Sequence, residues 1–339
     1  MRELLPDKNL SVAALLPNQI SFNRYLLNYM DKCTVENKST GTMRVYRVWI
    51  TDYLRYIYPE TPTRQNAMSY LAALKNYRYT KGKNKDEPYS ASTLHQAFRS
   101  LRTWFNWLAS EDEQILPRSP LAGVKAPKLP QRIHRTFDAE QMARIILWCS
   151  QPGFHHSRNK SMIYVIYDTG MRVSELAAIQ RTDVNIGTGA IRVIGKGDKE
   201  RILRVSLETR KVLQAYLHKR TDDLTALWVS EERRPMTTEG IKTTFQDIAK
   251  YAKIEGIKLG PHTYRHTAAK SYLMNGGDLR TLQYMLGHEK ISTTEIYLSD
   301  IADADMFKVH EKVSPVENML HPPRKLAKSA RQAPWRNIL

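Results

Sequence analysis

Side chains that could bind and attack a phosphate lie close together between residues 262 and 297. His262-Thr263-Tyr264-Arg265-His266 is followed by Leu286-Gly287-His288 and then by Tyr297. A guanidinium and imidazoles can hold a phosphate through charge-assisted hydrogen bonds. A phenol can attack the phosphorus once it is activated. The residue types and their spacing therefore indicate phosphoryl chemistry.

Two motifs farther upstream belong to the same ordered set. They are Thr169-Gly170-Met171-Arg172-Val173-Ser174-Glu175-Leu176 and Gly195-Lys196-Gly197-Asp198-Lys199-Glu200-Arg201. Each residue also has an ordinary explanation when it is taken alone. Arg172 could simply pair with Glu175, a helical neighbour three residues on, and Tyr297 is one of 18 tyrosines. The order of the motifs, more than any single residue, favours a shared site.

The composition favours a polyanionic partner. The 339 residues include 52 Lys and Arg against 34 Asp and Glu, a net charge of +18, which is typical of proteins that bind nucleic acid. A merely basic, soluble protein is the alternative. Cys33 and Cys149 are too few for a disulfide framework and fit a reducing cytoplasm. Because no apolar run is long enough to span a bilayer, we expect no membrane association.

Cofactor chemistry is not indicated by any motif. There is no glycine-rich phosphate loop followed by Lys and Ser or Thr, so nothing suggests the use of ATP. There is also no cluster of carboxylates that would predict a two-metal site. We therefore expect a reaction that needs no cofactor.

Apolar periodicity and proline content predict two domains and three flanking segments. Recurring apolar residues indicate helices in the first part, and closely spaced prolines among basic residues indicate an extended linker. The predicted regions are an N-terminal extension at 1–17, a helical first domain at 18–115, a basic linker at 116–136, a second domain at 137–320 and a basic tail at 321–339.

The second domain is predicted to combine helices with a small β-hairpin. Helices are expected near 138–150, 158–168, 207–219 and 238–254. The hairpin pairs 191–194 with 202–205 around a tight turn at 195–198. This turn is the element that must carry Lys196.

Basic residues on the predicted helices and linker form a candidate DNA-binding surface. A basic helical face can contact phosphates, although a solvated face explains any single residue equally well. The predicted DNA contacts are Arg44, Arg47, Arg99, Arg102, Lys125 and Lys128.

The five motifs together closely resemble the tyrosine recombinase (phage integrase) family, in particular its bacterial Xer-like members. The resemblance covers roughly residues 20–300 and is strongest from 165 to 298. It implies a multidomain, mainly α fold. A helical SAM-like core-binding domain would precede a mixed α/β catalytic domain with a small antiparallel sheet, and the two would close as a clamp around duplex DNA.

The resemblance also implies a role for each residue of the set. Two arginines and two histidines would hold the phosphate, a tyrosine would attack it with one histidine as base, and a lysine would protonate the departing 5′ oxygen. These catalytic residues are, in chain order, Arg172, Lys196, His262, Arg265, His288 and Tyr297. Glu175 is expected to hold Arg172 in place, and His266 to pack against or support the motif.

The implied reaction is site-specific recombination of double-stranded DNA. A 3′-phosphotyrosyl intermediate would lead, through a Holliday junction, to strand exchange by four protomers on two sites, with or without a second recombinase. The biological outcome would be integration or excision of a mobile element, or dimer resolution. DNA relaxation of the type IB topoisomerase kind and non-catalytic, site-specific DNA binding are the alternative functions.

The region after Tyr297 contains a second possible helix. Asp300 to Met319 is a plausible amphipathic segment. It could dock on a neighbouring protomer, as the resemblance implies, or pack on its own domain.

Overall fold

The structure is a computed structural model that describes residues 17–80, 85–130, 135–195, 197–257 and 259–299, together with His310 and Ser314. The chain divides into two compact units, Met1–Arg132 and Ile133–Leu339. The predicted N-terminal extension up to residue 16, the basic tail and nearly all of the possible helix after Tyr297 lie outside the described residues. Lys196 lies outside them as well.

The first unit is helical. Its α-helices, over the residues that the structure describes, are α1 (Pro17–Val35), α2 (Thr40–Tyr56), α3 (Arg64–Ala73) and α4 (Ala91–Leu108). Side-chain oxygens of Ser39, Thr63 and Ser90 accept hydrogen bonds from backbone N–H groups in the first turns of α2, α3 and α4. These caps replace partners that the first turn of a helix lacks.

Aromatic residues dominate the core of the first unit. Trp49 and Tyr53 of α2 and Trp104 and Phe105 of α4 are all buried. The Tyr53 ring lies edge-on to Phe105 at 5.3 Å. The predicted apolar faces of α2 and α4 therefore meet in one core.

The segment predicted as an extended linker differs from that prediction over part of its length. Leu121 is fully buried in the core of the first unit. The Arg64 guanidinium donates to the Ala122 carbonyl at 2.8 Å, and the Pro127 carbonyl lies 2.9 Å from Nδ1 of His95. Although its prolines prevent a helix, residues 121–127 pack on the first unit because Leu121 supplies an apolar anchor.

The second unit combines eight helices with a small sheet over the described residues. The helices are α5 (Ala139–Cys149), α6 (Phe154–Thr169), α7 (Val173–Ala178), α8 (Leu207–His218), α9 (Thr238–Tyr251), α10 (Pro261–Met274), α11 (Leu279–Leu286) and α12 (Ser292–Ser299). The strands are β1 (Val184–Asn185), β2 (Ala190–Ile194) and β3 (Glu200–Arg204), paired antiparallel in the order β1-β2-β3.

The fold class predicted from the sequence is confirmed, with two local differences. The two-residue strand β1 adds a third member to the predicted hairpin and pairs Val184 with Ile191. Helix α6 begins at Phe154, four residues before the predicted start, because Gly153 adopts a positive φ of 127° and ends the preceding turn. Inward residues of β2 and β3 join the helices in one apolar core.

Candidate active site

Arg172 stands at the start of α7, where it is held by both its backbone and its side chain. Glu175 accepts hydrogen bonds from the Arg172 backbone N–H at 2.8 Å and from Nη1 at 2.9 Å. Nη2 donates to the Gly287 carbonyl at 2.9 Å. The side chain is nevertheless 36% exposed. Arg172 is therefore fixed in orientation while part of its guanidinium stays accessible to an anion.

Arg265 approaches the same turn from α10 and is almost fully buried, with 5% of the residue exposed. Nη1 donates to the Gly170 carbonyl at 2.7 Å and Nη2 to the Leu286 carbonyl at 2.8 Å. Burial lowers the pKa of Arg265 to about 10, an effect that the nearby Tyr297 hydroxyl opposes. The guanidinium thus keeps its charge at neutral pH. Because these carbonyls are neutral, that charge can act on an anionic substrate.

The turn that receives both arginines depends on glycine. Gly287 ends α11 in the left-handed region with φ 63°. A Cβ at this position would lie only 3.0 Å from Cζ of Arg201 and 3.3 Å from Nη1 of Arg172. Glycine is therefore required for the backbone conformation and for the close approach of the guanidiniums.

His288 follows this turn and lies between Arg265 and Thr294. Its Nε2 is 2.9 Å from Nη2 of Arg265, and its Nδ1 is 2.9 Å from Oγ1 of Thr294. Because a guanidinium only donates, Nε2 accepts and Nδ1 carries the proton. Burial, and then Arg265 and the two other arginines, lower the pKa of His288 to about 4. The imidazole is therefore neutral at pH 7.

This arrangement differs from the predicted donation of a hydrogen bond by His288 to a phosphoryl oxygen. In the observed geometry Nε2 is an acceptor, and Nδ1 points to Thr294. Donation from Nε2 would require Arg265 to release the ring and a proton to reside on Nε2, either in the other neutral tautomer or in the protonated ring. The donor role of His288 stays a prediction.

Tyr297 lies on α12, and its side chain belongs to a buried cluster with α10 and α11. The residue is 3% exposed and packs with Leu273, Leu282 and Leu286. Its ring centroid is 5.4 Å from the ring of His266. The nearby Tyr297 hydroxyl also acts on the pKa of Arg265. The candidate nucleophile thus lies beside an arginine of its own chain.

Of the remaining predicted site residues, His262 and His266 lie on α10, and Lys196 lies outside the described residues. His262 is exposed on the first turn of α10, one turn before Arg265, and the helix begins at Pro261, a residue favoured at this position. His266 is half-buried against Tyr297, and its supporting role stays a prediction. Of the turn that carries Lys196, Gly195 and residues 197–199 are described. The residues brought together are Arg172, Glu175, Arg265, His266, His288 and Tyr297.

Comparison with known proteins identifies the family. The model of the phage integrase family matches residues 135–302, and the model of the phage integrase N-terminal SAM-like domain matches residues 25–115. The tyrosine recombinase XerD of Proteus mirabilis is 34% identical over 244 residues, which cover 68% of this chain and 74% of XerD. The chain belongs to the phage integrase family. It is a site-specific tyrosine recombinase, an enzyme that exchanges DNA strands.

Further relatives extend the similarity to both units of the recombinase. The tyrosine recombinase XerA of Pyrococcus furiosus is 28% identical over 287 residues, covering 84% of this chain and 92% of XerA. The fold resembles that of XerH bound to palindromic difH, with a TM-score of 0.63, 19% identity and coverage of 86% and 84%. A lambda integrase dimer on a COC′ core site has a TM-score of 0.63, 17% identity and coverage of 83% and 78%.

Sequence reasoning missed two residues of this site. Arg201 of β3 is buried and donates to both carboxylate oxygens of Glu175, at 3.1 Å and 2.8 Å. Thr294 is fully buried beside His288. A signal for Arg201 was present, because strand alternation with Leu203 and Val205 places it on the inward face. Thr294 gave no such signal, since its partner is brought close by a turn.

The predicted DNA contacts of the first unit are all solvent-exposed. Arg44 and Arg47 lie one turn apart on α2, and Arg99 and Arg102 lie one turn apart on α4. Lys125 and Lys128 are exposed on the segment that follows. Their exposure is compatible with phosphate contacts and does not by itself assign them.

None of the helices in the described ranges is long and apolar enough to cross a membrane. Within the same ranges, no group of three or more His, Cys, Asp or Glu side chains could hold a metal ion.

Proposed function

We propose that Tyr297 is the nucleophile that cleaves DNA and that it acts in the site of its own chain. The observation that carries this proposal is the burial of Tyr297 beside Arg265, with its hydroxyl close enough to affect the pKa of that guanidinium. A fixed guanidinium beside the phenol can stabilise the negative charge that develops at the reacting centre as the phenol attacks. Tyr297 would therefore need no residue from a neighbouring protomer to approach the phosphate.

Arg172 and Arg265 bind the scissile phosphate in this proposal. Both guanidiniums are oriented by carbonyls of the 286–287 turn before any substrate arrives. Preorganised cations stabilise the negative charge that develops on the non-bridging oxygens as the phenol attacks. Glu175 keeps Arg172 in the required orientation.

The proton transfers are assigned to His262 and Lys196. As the Tyr297 oxygen forms its bond to phosphorus, the phenolic proton passes to His262. The bond between phosphorus and the 5′ oxygen breaks, and Lys196 protonates that oxygen as the general acid. The products are a 3′-phosphotyrosyl bond and a free 5′ hydroxyl. Because the phosphoester is conserved as an ester, a second 5′ hydroxyl can reverse the reaction without ATP.

Strand exchange on duplex DNA would follow from two such steps. We propose that four protomers assemble on two DNA sites and exchange strands in pairs through a Holliday junction. Integration or excision of a mobile element and dimer resolution are both compatible with this chemistry. The predicted domain boundaries, apart from the linker residues 121–127 that pack on the first unit, and a cytoplasmic location, which the two buried free cysteines fit, are part of the same proposal.

A nicked substrate tests the assignment of Tyr297. The recombination site is first located by footprinting, and DNA nicked close to the cleavage position is then incubated with the enzyme. Loss of the small fragment prevents religation, so covalent protein–DNA accumulates and is measured on denaturing gels. Tyr297→Phe should form no adduct, because the ring remains and only the nucleophilic oxygen is removed.

A matched tyrosine separates loss of the nucleophile from general damage. Tyr251→Phe changes an exposed tyrosine at the end of α9 and should leave adduct formation unchanged. Adduct formation by Tyr297→Phe at the level of the unmodified enzyme would overturn the assignment. Relaxation of supercoiled DNA without any recombinant product would instead favour the topoisomerase-like alternative.

A further inference from the structure

Arg201 is a buried arginine whose guanidinium faces the protein interior. Nη1 and Nη2 form a bidentate pair with Glu175, and Nε donates to the Met285 carbonyl at 3.2 Å. Only 8% of the side chain is exposed. Because both Nη1 and Nη2 are bonded to Glu175, Arg201 does not serve as a ligand for the DNA phosphate.

The Arg201 guanidinium lies between two segments that carry predicted catalytic residues. A Cβ on Gly195, the residue before Lys196, would lie 3.4 Å from Nη1 of Arg201 and 3.6 Å from Glu175. A Cβ on Gly287, the residue before His288, would lie 3.0 Å from Cζ of Arg201. Both backbones therefore run directly along this ion pair.

Glu175 links Arg201 to Arg172 as well. Its carboxylate accepts from Arg201 and from both the backbone and the side chain of Arg172. Burial alone would raise the pKa of Glu175, but hydrogen bonds from the two arginines outweigh it and hold the pKa below its ordinary value. The carboxylate therefore remains charged and joins α7 to the hairpin.

The turn of the hairpin has little burial of its own. Residues 197–200 are exposed, and Ile194 and Ile202 at the ends of the strands are 47% and 58% exposed. A hydrogen bond from the Gly195 N–H to the Lys199 carbonyl closes the turn at 2.8 Å. Arg201 is the first buried residue after the turn, and its bidentate pair with Glu175 holds the turn against the site.

We propose that Arg201 is a positioning residue that holds the β2–β3 turn on Glu175, so that Lys196 can protonate the leaving 5′ oxygen. This inference rests on the proposed role of Lys196. The bidentate geometry suits arginine and not lysine, because a planar fork matches both oxygens of a carboxylate. A buried ion pair is weak evidence for stability, and its best use is to specify one arrangement. Here that arrangement is the position of the turn relative to Arg172.

A change of leaving group tests this role. In one substrate the bridging 5′ oxygen at the cleaved phosphate is kept, and in the other it is replaced by sulfur. A 5′ thiolate departs without a proton, so the sulfur substrate does not need the general acid. Arg201→Met should slow cleavage of the oxygen substrate about 100-fold, the scale expected for a misplaced catalytic group. Cleavage of the sulfur substrate should slow by only about a few-fold, because general acid catalysis is the part that is lost.

Three further variants make the result specific. Lys196→Ala should show the same oxygen-to-sulfur difference or a larger one. Arg192→Met removes an exposed arginine of the same hairpin that pairs with Asp183 and Glu200 and should cleave both substrates at the normal rate. Arg201→Lys keeps the charge and loses the bidentate guanidinium. It should therefore cleave the oxygen substrate slowly, and its cleavage rate should be restored with the sulfur substrate. It also serves as the test should Arg201→Met fail to fold.

The outcomes separate the positioning role from the proposed role of Lys196. In one outcome, the sulfur substrate restores the cleavage rate of Lys196→Ala, but Arg201→Met and Arg201→Lys cleave both substrates equally slowly. Arg201 would then affect the site as a whole and not the general acid, and the positioning role would be wrong. Normal cleavage of the oxygen substrate by the Arg201 variants would overturn it as well. If Lys196→Ala is slow on both substrates, Lys196 is not the acid, and both proposals fail together.

Discussion

The arginines of the two units lie in opposite environments. On α2 and α4 of the helical unit, Arg44 and Arg99 are exposed. In the catalytic unit, Arg201 and Arg265 are buried and bound to carbonyls or a carboxylate. Exposed charges attract DNA over a distance and are screened by salt, whereas buried ones are fixed where charge develops during reaction. We therefore expect the same residue type to contribute to affinity in one unit and to rate in the other.

The largest effect that would test this comparison is expected at Arg265. Arg265→Lys keeps a positive charge but loses the planar guanidinium. A lysine cannot bind the Gly170 carbonyl, the Leu286 carbonyl and a phosphate at the same time. We expect single-turnover cleavage of the nicked substrate to fall about 100- to 1,000-fold, as for loss of one preorganised donor, with little change in DNA affinity. The matched change Arg99→Lys should leave the cleavage rate unchanged. Similar losses of rate for both variants would contradict the difference between the units.

An intermediate effect concerns the pH dependence of stability and the neutral state of His288. Its pKa of about 4 in the folded protein is below the ordinary 6.5, so the unfolded chain binds more protons between these values. The stabilising contribution is full above the ordinary pKa and is lost as the pH falls towards 4. His288→Gln lacks this loss, so its stability should fall less steeply with decreasing pH. The slopes should differ by at most about 1.4 kcal/mol per pH unit, the limit for one proton.

Urea unfolding between about pH 7 and about pH 5 measures this difference. His218→Gln changes an exposed histidine at the end of α8 and should retain the steep slope of the unmodified protein. If His288→Gln and the unmodified protein lose stability equally as the pH falls, His288 is not held neutral in the fold.

The smallest effect is expected at an exposed arginine of the helical unit. Arg99→Ala should weaken DNA binding a few-fold and reduce the slope of log affinity against log salt by about 1, because one phosphate contact and its released counterion are lost. Cleavage of fully bound substrate should not change. Arg24→Ala, another exposed arginine of this unit that was not among the predicted DNA contacts, is the control. An equal reduction for both variants would mean that the predicted DNA contacts are not distinctive.

The sequence predicted local elements better than long-range contacts. The β2–β3 hairpin depends on residues only a few positions apart, so its signal is visible in the chain itself. The linker was partly mispredicted because Leu121 packs on residues that are distant in the sequence. A run of prolines indicates that no helix forms, but it does not indicate which surface the extended chain covers.

The sequence by itself determined the family, and with it the predicted reactive set. Two arginines, a lysine, two histidines and a tyrosine in a fixed order predicted the family and its chemistry, because such residues can bind a phosphate, attack it and transfer its protons. Only the tertiary structure decided how they are held. Arg172 binds the carbonyl of Gly287, which is 115 residues away, and Arg201 binds Glu175 across 26 residues. Such partners are chosen by the packing of α7, β3 and α11, and no local pattern records that packing.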